Sequence, residues 1–407
     1  MSLLENFIKY VKIDTQSEEG LDYNPSTNKQ FNLAKILVEE LHELGVENAF
    51  VDNHCYVYGM IETNCSSSMS VGLIAHLDTA TEMSGANVKP QIIDGYDGLD
   101  IILNKEQNII MSVKEFPHLT KYIGKTLITT DGTTLLGADD KAGIAIIMEV
   151  VKTIKNHPEL PHPTILITFT PDEEVGMGTA TFNYDYYKQH NCTTAFTLDG
   201  DDINTINFEN FNAASATVTV KGKAIHPGSA KNKMVNSMHL AMEFHSMLPT
   251  DMVPSKTEKY EGFNHLNHME GTVEETILHY IIRNHDMKKF EEQKALFKTI
   301  TSFLNNKYNE EFFFLNLKDS YFNMRELVLQ NPFGLECAIK SLQKEGIEPT
   351  LEPIRGGTDG ARLTFGGITT PNLGTGGGNY HGKYEYVCLE DMEKMVSVVI
   401  RLLDLIK

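Results

Sequence analysis

The sequence predicts an α/β protein: a mixed, mostly parallel sheet flanked by helices on both faces, with a smaller α+β domain inserted into it. Three observations carry this expectation. Short apolar runs of strand length alternate with helically spaced segments through the first half of the chain. Near residue 208 the texture changes to period-2 strands and charged amphipathic helices. After about residue 320 it returns to the first pattern. At 407 residues the chain is also too long for one domain of roughly 150 residues.

Taken in order, the N-terminal MSLLENFIKYVKI fits an amphipathic helix. Residues 27–45 carry apolar positions at helical spacing and stop at Gly45. VGLIA at 71–75, TILITFT at 164–170 and TAFTL at 194–198 read as buried strands, and residues 143–156 between the first two read as a helix. In the second region ASATVTVKG and TILHYIIRNHD read as strands, while Asn236–Met247 and 287–306 read as helices. NPFGLECAIKSLQKEG, a glycine-rich stretch and a helix from Leu389 complete the chain. The expected first domain is therefore discontinuous, 1–207 and 320–407, and the insertion covers 208–319.

Composition narrows the function classes. With 35 basic against 55 acidic residues the net charge is -20, which disfavours nucleic acid and anionic membrane partners. No run approaches the ~18 uninterrupted apolar residues of a membrane span. The N-terminal segment lacks the basic start and long apolar run of a secretory signal. The five cysteines are scattered, with no CxxC, as expected of free thiols in a reducing cytoplasm.

The chemistry-bearing residues share one layout. VGLIA runs straight into His76-Leu77-Asp78, TILITFT into Pro171-Asp172-Glu173-Glu174, and TAFTL into Asp199-Gly200; Gly137-Ala138-Asp139-Asp140-Lys141 stands just before a helix. Each piece alone is ordinary, since acids cap helices and populate turns. Together they gather carboxylates and an imidazole at the carboxyl edge of a sheet, where open α/β folds bind ligands. Carboxylates crowded in this way call for a cation. In HxD the two side chains face the same side of a strand, so Asp78 can take the ring N–H of His76. An aspartate can bridge two metals, and of two neighbouring glutamates one can bind metal while the other accepts a proton.

HLDTA, GADDKAG, PDEEVGMG, LDG, IHPGSAKNKMVN, RGGTDGAR and GGGNYHGKYE closely resemble the M20 family of zinc metallopeptidases, over nearly the whole chain. GADDKAG, HPGSAK and NYHGK point within it to the tripeptide aminopeptidases rather than to carboxypeptidases or desuccinylases. The resemblance implies two zinc ions per subunit, with His76 on one, His381 on the other, Asp139 bridging them, and Glu174 and Asp199 completing the two spheres. It implies Glu173 as general base, Asp78 orienting His76, and a cis peptide between Asp139 and Asp140. His381 reads as a ligand through the resemblance alone; by itself it is one of 15 histidines in a glycine-rich loop. His226, in an inserted lid domain, would stabilise the oxyanion, Arg283 and Arg355 would grip the substrate carboxylate, and Asn379 would touch the substrate. The implied partners are small peptides, and a homodimer through the lid domain. Another M20 hydrolase, a dipeptidase or N-acyl amino acid deacylase, is the first rival, and a non-catalytic peptide-binding module the remoter one.

Overall fold

The computed structural model describes residues Met1–Lys407. The chain divides into two compact units, one of residues 1–208, 326–352 and 358–407, the other of 209–325 and 353–357.

The first unit is built on an eight-stranded mixed sheet. Its strands lie in the order Phe50–Val51, Val57–Ile61, Thr164–Thr170, Ser70–His76, Ala195–Gly200, Asn372–Gly374, Thr205–Asn207, Thr350–Leu351. The four central strands, Thr164–Thr170 to Asn372–Gly374, are mutually parallel. Every residue of Ser70–His76 is buried, and all of Thr164–Thr170 but its first residue. That is why both read as continuous apolar runs: helices cover both faces of a parallel sheet, so alternation is lost. On one face the long helix Ala138–Asn156 packs on Ser70–His76 and Ala195–Gly200, with Leu3–Val11 and Leu389–Ile406 against it. The other face is closed by an aromatic cluster that includes Tyr56, Tyr58, Phe182 and Tyr187.

Register brings the carboxyl ends of these strands level. His76 stands opposite Thr170, and Gly200 opposite Gly374. A smaller sheet of Gly377–Gly378, Tyr386–Cys388, Leu127–Thr129 and Gln91–Ile93 lies in the same unit. None of its strands exceeds three residues, too short to leave a period in the sequence.

The second unit is a four-stranded antiparallel sheet in the order Phe263–Gly271, Glu275–Asn284, Asn212–Lys221, Phe313–Tyr321. Glu275–Asn284 alternates strictly between half-buried and buried positions. The buried face, with Val218, Leu278 and Tyr280, packs on Phe244 and Phe297 of the helices Ser237–Ser246 and Met287–Tyr308. The chain leaves this sheet only after Tyr321, because Phe313–Tyr321 pairs with Ala213–Val220 of the neighbouring strand.

No helix is long and apolar enough to cross a membrane, and all five cysteines are free.

One glycine fixes how closely the long helix lies on the sheet. A Cβ on Gly143 would stand 2.0 Å from Leu198 O and 2.4 Å from Asp140 Oδ1. Gly to Ala inside a helix ordinarily gains about 1 kcal/mol, whereas overpacking costs about 1–3 kcal/mol. Here the obstacle is sheet backbone, so the clash wins. Gly143→Ala is expected to lower the urea unfolding midpoint. A midpoint equal to or above that of the native chain would show that this approach has slack.

Candidate metal centre

Five side chains meet at the carboxyl edge of the central strands. His76 ends its strand and is 2 % exposed. Its Nε2 lies 2.8 Å from Asp139 Oδ1 and 3.5 Å from Asp199 Oδ1. The other oxygen of Asp139, Oδ2, lies 3.4 Å from His381 Nε2, and Glu174 Oε2 lies 3.0 Å from the same nitrogen. Asp139 therefore stands between the two imidazoles, one oxygen toward each. Asp199 comes from the end of Ala195–Gly200, and Glu174 from the turn that follows Thr164–Thr170. His381 sits on the loop after Gly377–Gly378 with φ 61.

A surrounding layer of acids holds this group in place. Asp78 is fully buried and lies 3.3 Å from His76 Nδ1. It also accepts the backbone N–H groups of Glu173 at 3.0 Å and Glu174 at 3.2 Å. Asp140 accepts the N–H of His76 at 3.1 Å and that of Gly143 at 3.1 Å. Glu385 accepts three N–H groups, from Leu136, Gly137 and Asp139, at 2.7, 2.9 and 3.1 Å. Gly137, at φ 81, turns the chain into the helix, and the Asp139–Asp140 peptide is cis. Sequence reading assigned no role to Asp140 or Glu385. Both lie inside the motifs that carry the family resemblance, and no periodicity marks an acid whose task is to accept loop N–H groups.

Burial opposes ionisation of Asp139, but hydrogen bonds from His381 and His76 overcome it and hold the carboxyl below its ordinary range. Burial, with Asp139 nearby, pushes Glu174 up to about 8 and Asp199 up to about 7. Burial, then Asp199 and Asp359, pushes Glu173 well above its ordinary value. Hydrogen bonds to Asp139 and Glu174 raise His381 to about 12. Burial works against protonation of His76, and Asp199, Asp139 and Asp78 outweigh it. Glu174 Oε1 is buried with no hydrogen-bond partner. His76 converges with Asp139 and Glu174, and also with Asp140 and Asp199, closely enough to hold a metal ion, and imidazole with carboxylate is a donor set that fits one.

The other expected residues lie elsewhere. Asn379, at φ 54, places its Nδ2 3.7 Å from Met111 Sδ. His226, Arg283 and Arg355 belong to the second unit. His226 is exposed, and its Nδ1 accepts the N–H of Gly228 at 3.2 Å. Arg283 donates to Ala214 O and Ile282 O and lies over the Tyr321 ring. Arg355 donates to Lys259 O at 2.6 Å and Glu261 O at 2.9 Å, and stacks over Phe211.

A mostly parallel central sheet thus gathers two histidines and several carboxylates at its carboxyl edge, and an antiparallel domain is inserted in the chain. Residues 208–311 match the M20 peptidase dimerisation domain. Peptidase T of Alkaliphilus oremlandii (strain OhILAs) is 50% identical over 407 residues, covering 99% of each chain. Peptidase T of Caldanaerobacter subterraneus subsp. tengcongensis is 50% identical over 404 residues, covering 99% of this chain and 98% of its own. The chain belongs to the peptidase T family of M20 peptidases. Solved structures share its fold. Aminopeptidase PepT from Bacillus cereus ATCC 10987 superposes with a TM-score of 0.78 at 22% identity, over 99% of this chain and 98% of that one. A dinuclear metal binding peptidase of the M20 family from Bacillus subtilis gives 0.64 at 12% identity, over 99% and 96%.

The raised carboxyls set a pH dependence for the metal-free protein. Acids whose folded pKa exceeds the unfolded value bind extra protons in the native state, so stability falls as pH rises through the window between the two. For Glu174 that window runs from 4.5 to about 8, and for Asp199 from 3.8 to about 7. His76 and His381, raised above 6.5, lose their contribution in the same direction as pH rises. A metal ion held by this cluster would release these protons. The gap in unfolding temperature between metal-loaded and chelated protein is therefore expected to widen from about pH 5 to about pH 8. Thermal scans with and without chelator check this, and a gap that stays constant across the range would contradict it.

Proposed function

We propose that this chain releases the N-terminal residue from tripeptides, using two zinc ions per subunit and Glu173 as the general base. The carrying observation is the sharing of Asp139, Oδ1 toward His76 at 2.8 Å and Oδ2 toward His381 at 3.4 Å. His76 and Asp199 would hold one ion, His381 and Glu174 the other, and Asp139 would serve both. Imidazole nitrogen and carboxylate oxygen are the donors zinc takes at catalytic sites. Bound there, the ions would supply Lewis acidity toward the scissile carbonyl and lower the pKa of water.

The chain's own residues supply the proton transfers. In the metal-free chain burial, Asp199 and Asp359 favour the protonated form of Glu173. With cations held among these acids that field would reverse, leaving the Glu173 carboxylate free to act as a base. Glu173 takes a proton from the attacking water, then gives it to the departing nitrogen as the peptide C–N bond breaks. Its backbone N–H donates to Asp78, which also faces His76, so base and ligand share one support.

The same proposal gives His226 to the oxyanion, Arg283 and Arg355 to the substrate carboxylate, and Asn379 to the substrate. The exposure of His226 and the position of Asn379 two residues before His381 support it. The match to a dimerisation domain supports a homodimer through the second unit. Five free cysteines fit a reducing cytoplasm.

Glu173→Ala is expected to keep the metal content of the native enzyme while kcat on Ala-Ala-Ala falls by about 10²–10⁴-fold. Near-native turnover would remove Glu173 as the base. Ala-Ala-Ala should be cleaved far faster than Ala-Ala or an acetylated amino acid; the reverse order would move the chain to another M20 activity.

A further inference from the structure

The two imidazoles of the cluster are supported differently. His76 turns its Nδ1 toward Asp78, 3.3 Å from Oδ1 and 3.1 Å from the Asp78 carbonyl. The Nδ1 of His381 faces another acid, Glu82, at 3.1 Å from Oε1. Neither the strand-end layout nor the motif resemblance gives Glu82 a role. We propose that Glu82 is the positioning residue of His381, accepting its Nδ1–H and so presenting Nε2 to the ion between Asp139 and Glu174. The inference rests on the two-metal reading of the site and deepens it.

The chemistry is that of the imidazole. A neutral ring carries one N–H, and the other nitrogen keeps the lone pair that binds metal. With Nδ1–H donated to Glu82, the lone pair lies on Nε2, the nitrogen 3.4 Å from Asp139 Oδ2 and 3.0 Å from Glu174 Oε2. A carboxylate on Nδ1 also makes the ring a stronger donor and fixes its direction. His381 needs such a partner more than His76 does. His76 lies in a strand, hydrogen-bonded to its neighbours, whereas His381 lies in a loop at φ 61. Glu82 does this from an exposed position, its side chain 60% accessible, while the Asp78 side chain is 0% accessible. The two supports therefore differ in how much else depends on them. Asp78 also ties down the backbone of Glu173 and Glu174; Glu82 can be changed with little else disturbed.

The test is a zinc titration of the chelated protein against a chromophoric competitor, on the native chain and on Glu82→Ala, Glu82→Gln and Glu82→Asp. The native chain is expected to take up two ions. In Glu82→Ala one of the two affinities should fall by about 10–100-fold with the other unchanged. Glu82→Asp should restore part of the loss, and Glu82→Gln, which keeps an acceptor oxygen without the charge, should lie between. The unfolding temperature of the chelated protein should not move, which separates positioning from a general structural defect. Two native affinities in all three variants would overturn the proposal and leave the two-metal reading standing. A native chain that binds only one ion would overturn that reading and the proposal with it. Equal loss at both sites would overturn the assignment of Glu82 to His381.

Discussion

Asp139 stands between two imidazoles in a pocket that also holds Glu173, Glu174 and Asp199, and that juxtaposition is the constraint on which the rest of the first unit depends. Like charges this close, away from water, repel strongly, and the carboxyls answer by holding protons. The acids around them have backbone partners. Asp78, Asp140 and Glu385 each accept backbone N–H groups, and so tie together the two ends of strands and the start of the long helix. Asp172, from the same turn as Glu173, is likewise satisfied by Ser26, Asn24 and Gln30. Hydrogen bonding thus divides the acids into two classes. One class is structural and complete. The other leaves an oxygen of Glu174 buried without a hydrogen-bond partner.

The sheet supplies the precision. Thr164–Thr170, Ser70–His76, Ala195–Gly200 and Asn372–Gly374 are adjacent and parallel, so their carboxyl ends fall on one edge in a fixed register. His76 and Asp199 lie on the strands themselves, and Glu174 follows within four residues of Thr170. Asp139 arrives from the opposite direction, at the N-terminal turn of a helix that packs against two of the same strands. The close approach at Gly143 sets that helix depth, and through Asp140 it is linked to the backbone of His76.

What was legible in the sequence follows from burial and length. Strands buried on both faces leave continuous apolar runs, and TILITFT and VGLIA show them together with the acids and histidine that follow. The alternation of Glu275–Asn284 is legible because one face only is covered. Asn372–Gly374 is three residues long and leaves no such trace. Without it His381 cannot be placed on the same edge as His76, which is why spacing alone does not find it and motif resemblance does. Glu385 and Asp140 are illegible for a different reason. Their partners are backbone N–H groups, which every residue carries, so no partner side chain signals them.

The two halves of the site differ in the origin of their geometry. His76 and Asp199 are held by the ladder of a buried sheet, whose hydrogen bonds open only in large cooperative units. His381 is held by a loop, where Asn379 and His381 at positive φ and ring contacts with Glu82, Asp139 and Glu174 replace the ladder. Asp139 joins the two, with one oxygen toward each, and its own N–H is fixed by Glu385. A displacement of the loop therefore moves one imidazole while the sheet keeps the other in register. The asymmetry lies in the backbone: His76 and Asp199 stand on strands, Asp139 on the first turn of a helix and His381 on a glycine-rich loop.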